Sequence, residues 1–539
     1  MDWNRHYTWL STLLGVIIGA LIVVNVYTLI RIRKDRKALQ DQGWRKMELV
    51  MQSLSDNYVD TIDYKSVTEA TLQTLFHQLD PHSVYLPPAE LTESETDLAG
   101  NFEGIGIQFN VPNDTAIVLE VIPGGPSEKI GLRQGDRILR VDDKDIAGVK
   151  FPQDSMVRRM KGPAGTKVTI TVRRGHEVIP FEITRGKIPV HSIDASFMVD
   201  DTTGYIRLSK FSRTTATEFL TSSAELLAKG MKKLVFDLRD NTGGYFDQAL
   251  VLSNLFLNKG DNIVYMEGLH RKRSSYRADG RGFLRDVQLV VLINENSASS
   301  SEIFAGAIQD NDRGVIVGRR SFGKGLVQEP LYFSDGSGVR LTVARFYTPS
   351  GRCIQKPYDE GDEKYAYDIY NRYMDGEMLA ADSIKVNKDL EYHTKGGRPV
   401  YGGGGIIPDV FVPLDTTRAT RFYLDCTRKA TSMRFASEWF DSHREELTSI
   451  EEYPALINYL DKAGLDRAFL KFAASKDNIR PSGNEEWKQS ATYMMPQVRA
   501  LVGRYSKQGE NAFYHLYMDV DETLHAALKA EPLSLSAGQ

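Results

Sequence analysis

Hydrophobic and polar positions change their spacing four times along the chain. From Tyr7 to Ile30 no residue is charged. In helical form those 24 residues would span about 36 Å, enough for a bilayer core of about 30 Å. Residues 38–98 are mainly helical in pattern: Trp44–Tyr58 and 67–79 repeat apolar residues at helical spacing, and the second run stops at Asp80-Pro81, a turn signal. Residues 99–187 switch to short alternating strands (105–111, 116–122, 137–142, 167–174, 178–184) separated by Gly- and Asp-rich turns, the pattern of a small β-rich module. Residues 188–414 alternate again. Strands at 204–209, 233–239 and 288–294 precede helices at 214–229, 245–257 and 299–310, and a strand follows at 314–318, which predicts βαβ crossovers and a helix-covered sheet. Residues 415–539 carry no strong strand signal and are mostly helical in pattern.

Composition narrows the possibilities. The 539 residues are 41% hydrophobic and 26% charged, which fits a folded multidomain protein and excludes a disordered chain or a multi-spanning membrane protein. A net charge of −4 argues against a nucleic-acid binder. Two cysteines, Cys353 and Cys426, cannot build a disulfide scaffold or a four-thiolate zinc site. The 7–30 segment is long for the apolar part of a signal peptide, its main rival, and no A-x-A site follows it; an uncleaved anchor is expected. Arg31, Arg33, Lys34, Arg36 and Lys37 flank its C-terminal side, so loop charge alone would keep the following domains in the cytoplasm.

The densest chemistry lies between Val291 and Gln328. A buried strand runs into small residues, and a helix starts among Ser297, Ser299, Ser300 and Ser301. A serine at a strand-to-helix turn can present its hydroxyl clear of the sheet, beside helix-start amides that lack intrahelical partners and can hold a developing oxyanion. The plain alternative is a serine helix cap. A nucleophilic hydroxyl needs a base, and the block has no histidine. Lys324 stands between Gly323 and Gly325. A lysine is a poor base in water, but burial disfavours its ammonium form and can make it one. The physics of the residues alone does not choose among the four serines.

The segments SASSSEIFAGAIQD (297–310) and VGRRSFGKGLVQ (317–328) resemble the carboxyl-terminal processing, or tail-specific, serine peptidases. LDPHSVYL, NFEGIGIQF, PGGPSEKIGLRQGDRI, LRDNTGG and GGIIPDV extend the resemblance, in order, over roughly residues 45 to 415. Taken with the residue pattern, it gives the expected multidomain α+β and α/β chain: a transmembrane helix at 7–30, a helical region at 38–98 and a helical domain at 415–539 from the pattern, and a PDZ domain at 99–187 and a Clp/crotonase-like peptidase core at 188–414 from the resemblance. It places the nucleophile on Ser299, the general base on Lys324 and a lysine-orienting group on Gln328. The oxyanion donors it implies are the amides of Ser300 and of Gly243 or Gly244. No metal or organic cofactor is implied. Ser300 and Thr242 stand where the family often has alanine and proline, Lys161 where arginine is common, and the stretch between 358 and 401 is longer than in compact members.

Residues 99–187 resemble a PDZ domain, with Gly104, Ile105, Gly106 and Ile107 as the carboxylate-binding loop. Such a module binds an extended tail by adding it to a sheet edge, so the expected partners are polypeptides with free or disordered C-termini. The resemblance also implies a single-pass protein of the bacterial inner membrane with its catalytic part in the periplasm, against the flanking-charge rule; long domains translocate despite such charge. The terminal helices would cap the core or form a homodimer. The rival of a different class is a membrane-tethered PDZ adaptor with a silent peptidase core, and a Ser–His–Asp hydrolase is a second. Gly402–Gly405 lacks the Lys-Ser/Thr of a phosphate loop, and His77 and His82 are expected to be structural.

Overall fold

The computed structural model describes residues 43–98, 100–111, 114–416 and 418–531. The apolar segment 7–30 lies outside them, and among the described residues no helix is long and apolar enough to cross a membrane. The chain divides into two compact units, Met1–Leu75 and Phe76–Gln539. In the first, residues 43–57 are helical and the helix Tyr64–His77 begins.

The heart of the second unit is a six-stranded sheet in the order Ile193–Met198, Thr203–Leu208, Lys233–Asp237, Gln288–Ile293, Val315–Gly318 and Val410–Phe411. Its first pair is antiparallel and all later pairs are parallel. The central strands are nearly continuous apolar runs, as a sheet covered on both faces requires. Helices Thr215–Ala228, Phe246–Asn254 and Ser300–Asp310 pack on one face, where Phe219, Phe236, Phe256 and Phe304 meet edge to face. The other face, carrying Val235, Val290, Leu292 and Val317, is covered by Tyr514, Met518, Leu524 and Ala527 from the C-terminal region. That region therefore completes the sandwich as its third layer. Lys233 fastens it by donating to the carbonyls of Ala527, Leu528 and Ala530, and Arg239 pairs with Asp521 at 2.7 Å.

A second sheet was not legible in the sequence. Strand Gly338–Tyr347 pairs with Val84–Leu86, Asn262–Gly268 and Leu326–Tyr332, and Arg271–Arg277 adds to its edge. Strand Arg271–Arg277 is largely exposed and rich in arginine, so no apolar alternation marks it. Residues 107–184 form the β-rich module, with strand order Ile107–Asn110, Ala116–Val121, Arg137–Val141, Lys167–Arg174 and Glu177–Thr184. Its Gln134-Gly135 turn sits against Phe440 and Arg444, Arg137 pairs with Asp441, and Leu119 packs on the C-terminal helical core. Cys353 and Cys426 are both free thiols.

Candidate active site

Strands Lys233–Asp237 and Gln288–Ile293 are paired and parallel, so the loops beyond their carboxyl ends lie side by side. One is LRDNTGG (238–244); the other leads to Ser299. In parallel sheets this edge is where sites form. The Ala298 amide donates to the Asn241 carbonyl at 3.0 Å and joins the two loops. Ser299 precedes helix Ser300–Asp310 with φ 55° and ψ −113°, a conformation an L-residue adopts only when its surroundings impose it.

The hydroxyls separate the four serines. Ser297 Oγ donates to the Leu238 carbonyl at 2.8 Å, Ser300 Oγ to that of Gly244 at 3.0 Å, and Ser301 Oγ to that of Asn241 at 2.9 Å. The hydroxyl hydrogen of Ser299, a half-buried residue, has no acceptor among the described residues. Its neighbours carry unengaged donors: the amides of Ser300 and Gly244 have no acceptor among the described residues. The two glycines that the sequence left as alternatives differ in their amides. That of Gly243 donates to Asn241 Oδ1 at 2.8 Å, so of the two glycines Gly244 has the free N–H. Gly243 instead permits close approach: a Cβ there would stand 2.7 Å from Ser299 Cβ, at a φ of 103°.

Glu302 joins this turn to the lysine loop. Its carboxylate is fully buried. Oε2 accepts the amides of both Ser299 and Lys324 at 2.9 Å, so those two nitrogens are no more than 5.8 Å apart, twice 2.9 Å. Oε1 accepts the Gly323 amide at 2.7 Å and the Ser321 hydroxyl at 2.5 Å. Burial pushes the Glu302 carboxyl up, and these four donors pull it back towards the anion. Sequence reasoning assigned Glu302 no role, although Ser299-x-x-Glu302 has the spacing of a capping box.

Lys324 is half-buried, and desolvation holds its amine below the usual lysine range. The Arg340 guanidinium adds to that, while Glu302 and Asp80 oppose it. Its amine has no hydrogen-bond partner among the described residues. Gln328, expected to orient it, donates its amide instead to the His82 carbonyl. His82 is held down to about 4, by burial first and then by Lys324, with Asp80 opposing and Lys356 adding. Its ring is therefore neutral near pH 7, and its Nε2 lies 2.7 Å from the Tyr365 hydroxyl. Asp80 fixes this turn by accepting the amides of His82 and Ser83 and the hydroxyls of Ser83 and Thr342. The structure thus places LDPHS against the lysine, a juxtaposition hidden by the 241 residues between His82 and Lys324.

In the β-rich module the strand Ile107–Asn110 is an edge of its sheet. The loop before it is closed from behind: the Ser127 amide and hydroxyl bond the Ile105 carbonyl, and the Ile122 amide bonds that of Gly106. The amides of Ile105 and Gly106 have no acceptor among the described residues. Gly104 lies in strand Asn101–Gly104, paired to Gly186–Pro189, and Ile107 opens the edge strand. Lys161 sits 3.8 Å from Glu93 and over the Phe102 ring.

An uncommitted serine at a strained strand-to-helix turn, a desolvated lysine tied to it through one carboxylate, and an attached open-edged β-module define a serine peptidase with a peptide-binding domain. Comparison with known proteins agrees: residues 202–364 match the model of peptidase family S41 and residues 104–184 that of a PDZ domain. The chain belongs to the S41 peptidases, in their CtpA-like, C-terminal processing branch. It is 33% identical over 354 residues to a protein of Staphylococcus aureus (strain N315) named "Probable CtpA-like serine protease", covering 65% of this chain and 71% of that one. A protein of the same name from Staphylococcus haemolyticus (strain JCSC1435) is 30% identical over 376 residues, covering 68% and 74%. Among solved structures, the photosystem II D1 C-terminal processing protease is 26% identical, covering 68% of this chain and 86% of its own, with a TM-score of 0.37.

Proposed function

We propose that Ser299 and Lys324 form the catalytic dyad of an endopeptidase that selects polypeptides by their C-terminal tails. The observation that carries the reading is the pairing of the one serine in the block whose hydroxyl has no acceptor among the described residues with a half-buried lysine, its amine without a partner among them, fixed to the same carboxylate. Neutral Lys324 takes the hydroxyl proton as Ser299 Oγ attacks the peptide carbonyl. The amides of Ser300 and Gly244 receive the oxyanion. The ammonium returns its proton to the departing amine, leaving an acyl-enzyme. Lys324 then deprotonates the water that releases the acid. Gln328 acts on the lysine at one remove, by holding the His82 carbonyl.

The PDZ domain supplies selection. The edge strand Ile107–Asn110 can pair with an extended tail while the free amides of Ile105 and Gly106 hold its carboxylate. Main-chain pairing makes few demands on sequence, which suits unstructured tails. The 7–30 segment would anchor the chain in the inner membrane with the peptidase in the periplasm. Protection of residues 100–539 from protease added to spheroplasts would overturn that orientation.

The deciding experiment is degradation of an unfolded polypeptide by wild type, Ser299→Ala and Lys324→Ala. Loss in both variants is expected. Equal slow degradation by wild type and Ser299→Ala would leave a PDZ adaptor with a silent core. Activity surviving Lys324→Ala and vanishing in His82→Ala would point to a histidine base.

A further inference from the structure

The lysine loop 320–325 joins strands Val315–Gly318 and Leu326–Tyr332 and has no regular hydrogen-bonding pattern of its own. Its shape is set by what holds it from two sides. Glu302 holds the inner side. The outer side is held by the long stretch after Tyr358, which the dyad chemistry leaves unexplained.

That stretch folds into helices Asp362–Ala366 and Asp368–Met374, two 3-10 turns and the hairpin Glu391–His393 with Pro399–Tyr401. Three of its polar side chains turn inward. Arg372, only 5% exposed, donates Nη2 to the Arg320 carbonyl at 2.7 Å and Nη1 to the Ser321 carbonyl at 3.1 Å. Glu377 bridges the two guanidiniums, accepting Arg372 Nε at 2.9 Å and Arg320 Nε at 2.8 Å. Tyr365 meets the Phe322 ring edge-on and reaches His82 with its hydroxyl. Between the Phe322 and Tyr365 rings lies the Lys356 ammonium, 3.9 and 4.1 Å from their centroids and 3.1 Å from Asp368. The Lys356 amide in turn donates to the Gly323 carbonyl at 2.9 Å.

The geometry points to Arg372 as a positioning residue for Lys324, and to the segment 359–400 as a built-in brace of the lysine loop. This rests on the Ser299–Lys324 reading and extends it. A planar guanidinium is suited to the task, because one rigid fork holds two successive carbonyls while its third edge is locked by Glu377. An ammonium at the same place supplies no such fork. Tyr365 adds a second hold, through Phe322 on the loop and through His82, whose carbonyl anchors Gln328. Loosening the brace would let Lys324 drift from Ser299 and admit water to its amine.

The test uses the full-length protein with Arg372→Met, Arg372→Lys and Tyr365→Phe, and Lys324→Ala in parallel. Measurements are kcat and KM on an unfolded polypeptide, the pH profile of kcat/KM, and hydrogen exchange of the peptide spanning 318–326. For Arg372→Met we expect kcat to fall about 10- to 100-fold with KM little changed. The rising limb of its pH profile should move up by about half a unit or more as the amine is rehydrated. Arg372→Lys, which keeps the charge beside Glu377 and should fold, is expected to give faster exchange at 318–326 and a kcat between wild type and Arg372→Met. Tyr365→Phe should show a smaller fall. If Lys324→Ala is inactive while Arg372→Lys and Arg372→Met keep the wild-type kcat, pH limb and exchange, the brace is wrong and the dyad stands. If Arg372→Met fails to fold and Arg372→Lys matches wild type in all three measurements, the brace is likewise wrong. If Lys324→Ala keeps wild-type activity, the dyad itself fails and the brace with it.

Discussion

Replacing Glu302 by glutamine tests whether the dyad is held together by charge, by geometry or by neither. All four groups around the carboxylate donate to it, three through backbone amides that cannot accept. A glutamine offers one acceptor oxygen and one NH2. With the oxygen towards the Ser299 and Lys324 amides, the NH2 faces the Ser321 hydroxyl and the Gly323 amide. The hydroxyl can rotate; the Gly323 N–H cannot, and is left opposite another donor. One orphaned buried N–H costs about 1–3 kcal/mol, and weakening the other bonds from ionic to neutral brings the loss to about 2–4 kcal/mol. The lysine loop is the part free to relax, so Lys324 moves relative to Ser299. Displacements near 1 Å at a reacting group cost about 100-fold in rate. The charge acts in the opposite sense on acidity. Glu302 raises the Lys324 pKa, so removing its charge lowers it further. The expected result in a fluorogenic polypeptide assay is a plateau kcat/KM reduced about 100-fold, with its rising limb shifted to lower pH. An unchanged plateau and limb, together with a lowered thermal midpoint, would reduce Glu302 to a helix cap and refute the reasoning.

Other perturbations have equally definite signs. Arg340→Gln removes a cation that depresses the Lys324 amine, so the rising limb of its kcat/KM profile should move to higher pH; a shift to lower pH would contradict the assigned electrostatics. Gly243→Ala places a Cβ 2.7 Å from Ser299 Cβ and 2.9 Å from the Ala298 carbonyl, at a positive φ; activity should be nearly abolished while tail-peptide binding to the PDZ domain, read by fluorescence anisotropy, is retained. Burial holds His515 down to about 4 from an ordinary 6.5, between the Phe197 and Tyr453 rings. Its folded pKa is the lower one, so the stability it allows is complete above pH 6.5 and declines as pH falls towards 4. After discounting for partial exposure the decline is up to about 2 kcal/mol, and His515→Phe, which keeps the stacking, should flatten chemical-denaturation stability over that range.

What the sequence disclosed and what it hid divide along the range of the interactions. The strand, the serines and the helix from 288 to 310 lie within one stretch of chain, and their order alone announces a strand-to-helix turn. The motif resemblance points to Ser299, but the physical reason for preferring it over its neighbours does not lie in that stretch: it depends on the Leu238, Asn241 and Gly244 carbonyls, which belong to an adjacent strand and loop. The same holds for Gly243 and Gly244, equivalent in sequence until Asn241 engages one amide. The helices of 415–539 are readable from their own spacing, but not that their residues Leu524 and Ala527 would cover the second face of the peptidase sheet.

A buried carboxylate and a desolvated lysine are individually costly, and neither hydrophobic spacing nor helix propensity asks for them. Their presence side by side has to be sustained by bonds drawn from the whole unit: Glu302 from its helix, Asp80 and His82 from the segment before the PDZ domain, Arg340 from the second sheet, Arg372 and Tyr365 from the long stretch after the lysine. Each of these residues, taken alone in sequence, reads as an ordinary polar residue. Burial and the Arg340 guanidinium lower the Lys324 amine while Glu302 and Asp80 oppose them, and a lysine so depressed is closer to the neutral state a general base must occupy before substrate arrives. The same logic accounts for the size of the protein around so small a dyad. A lysine loop without regular structure of its own is held from outside, by the Glu302 carboxylate, the Arg372 guanidinium and the Lys356 amide.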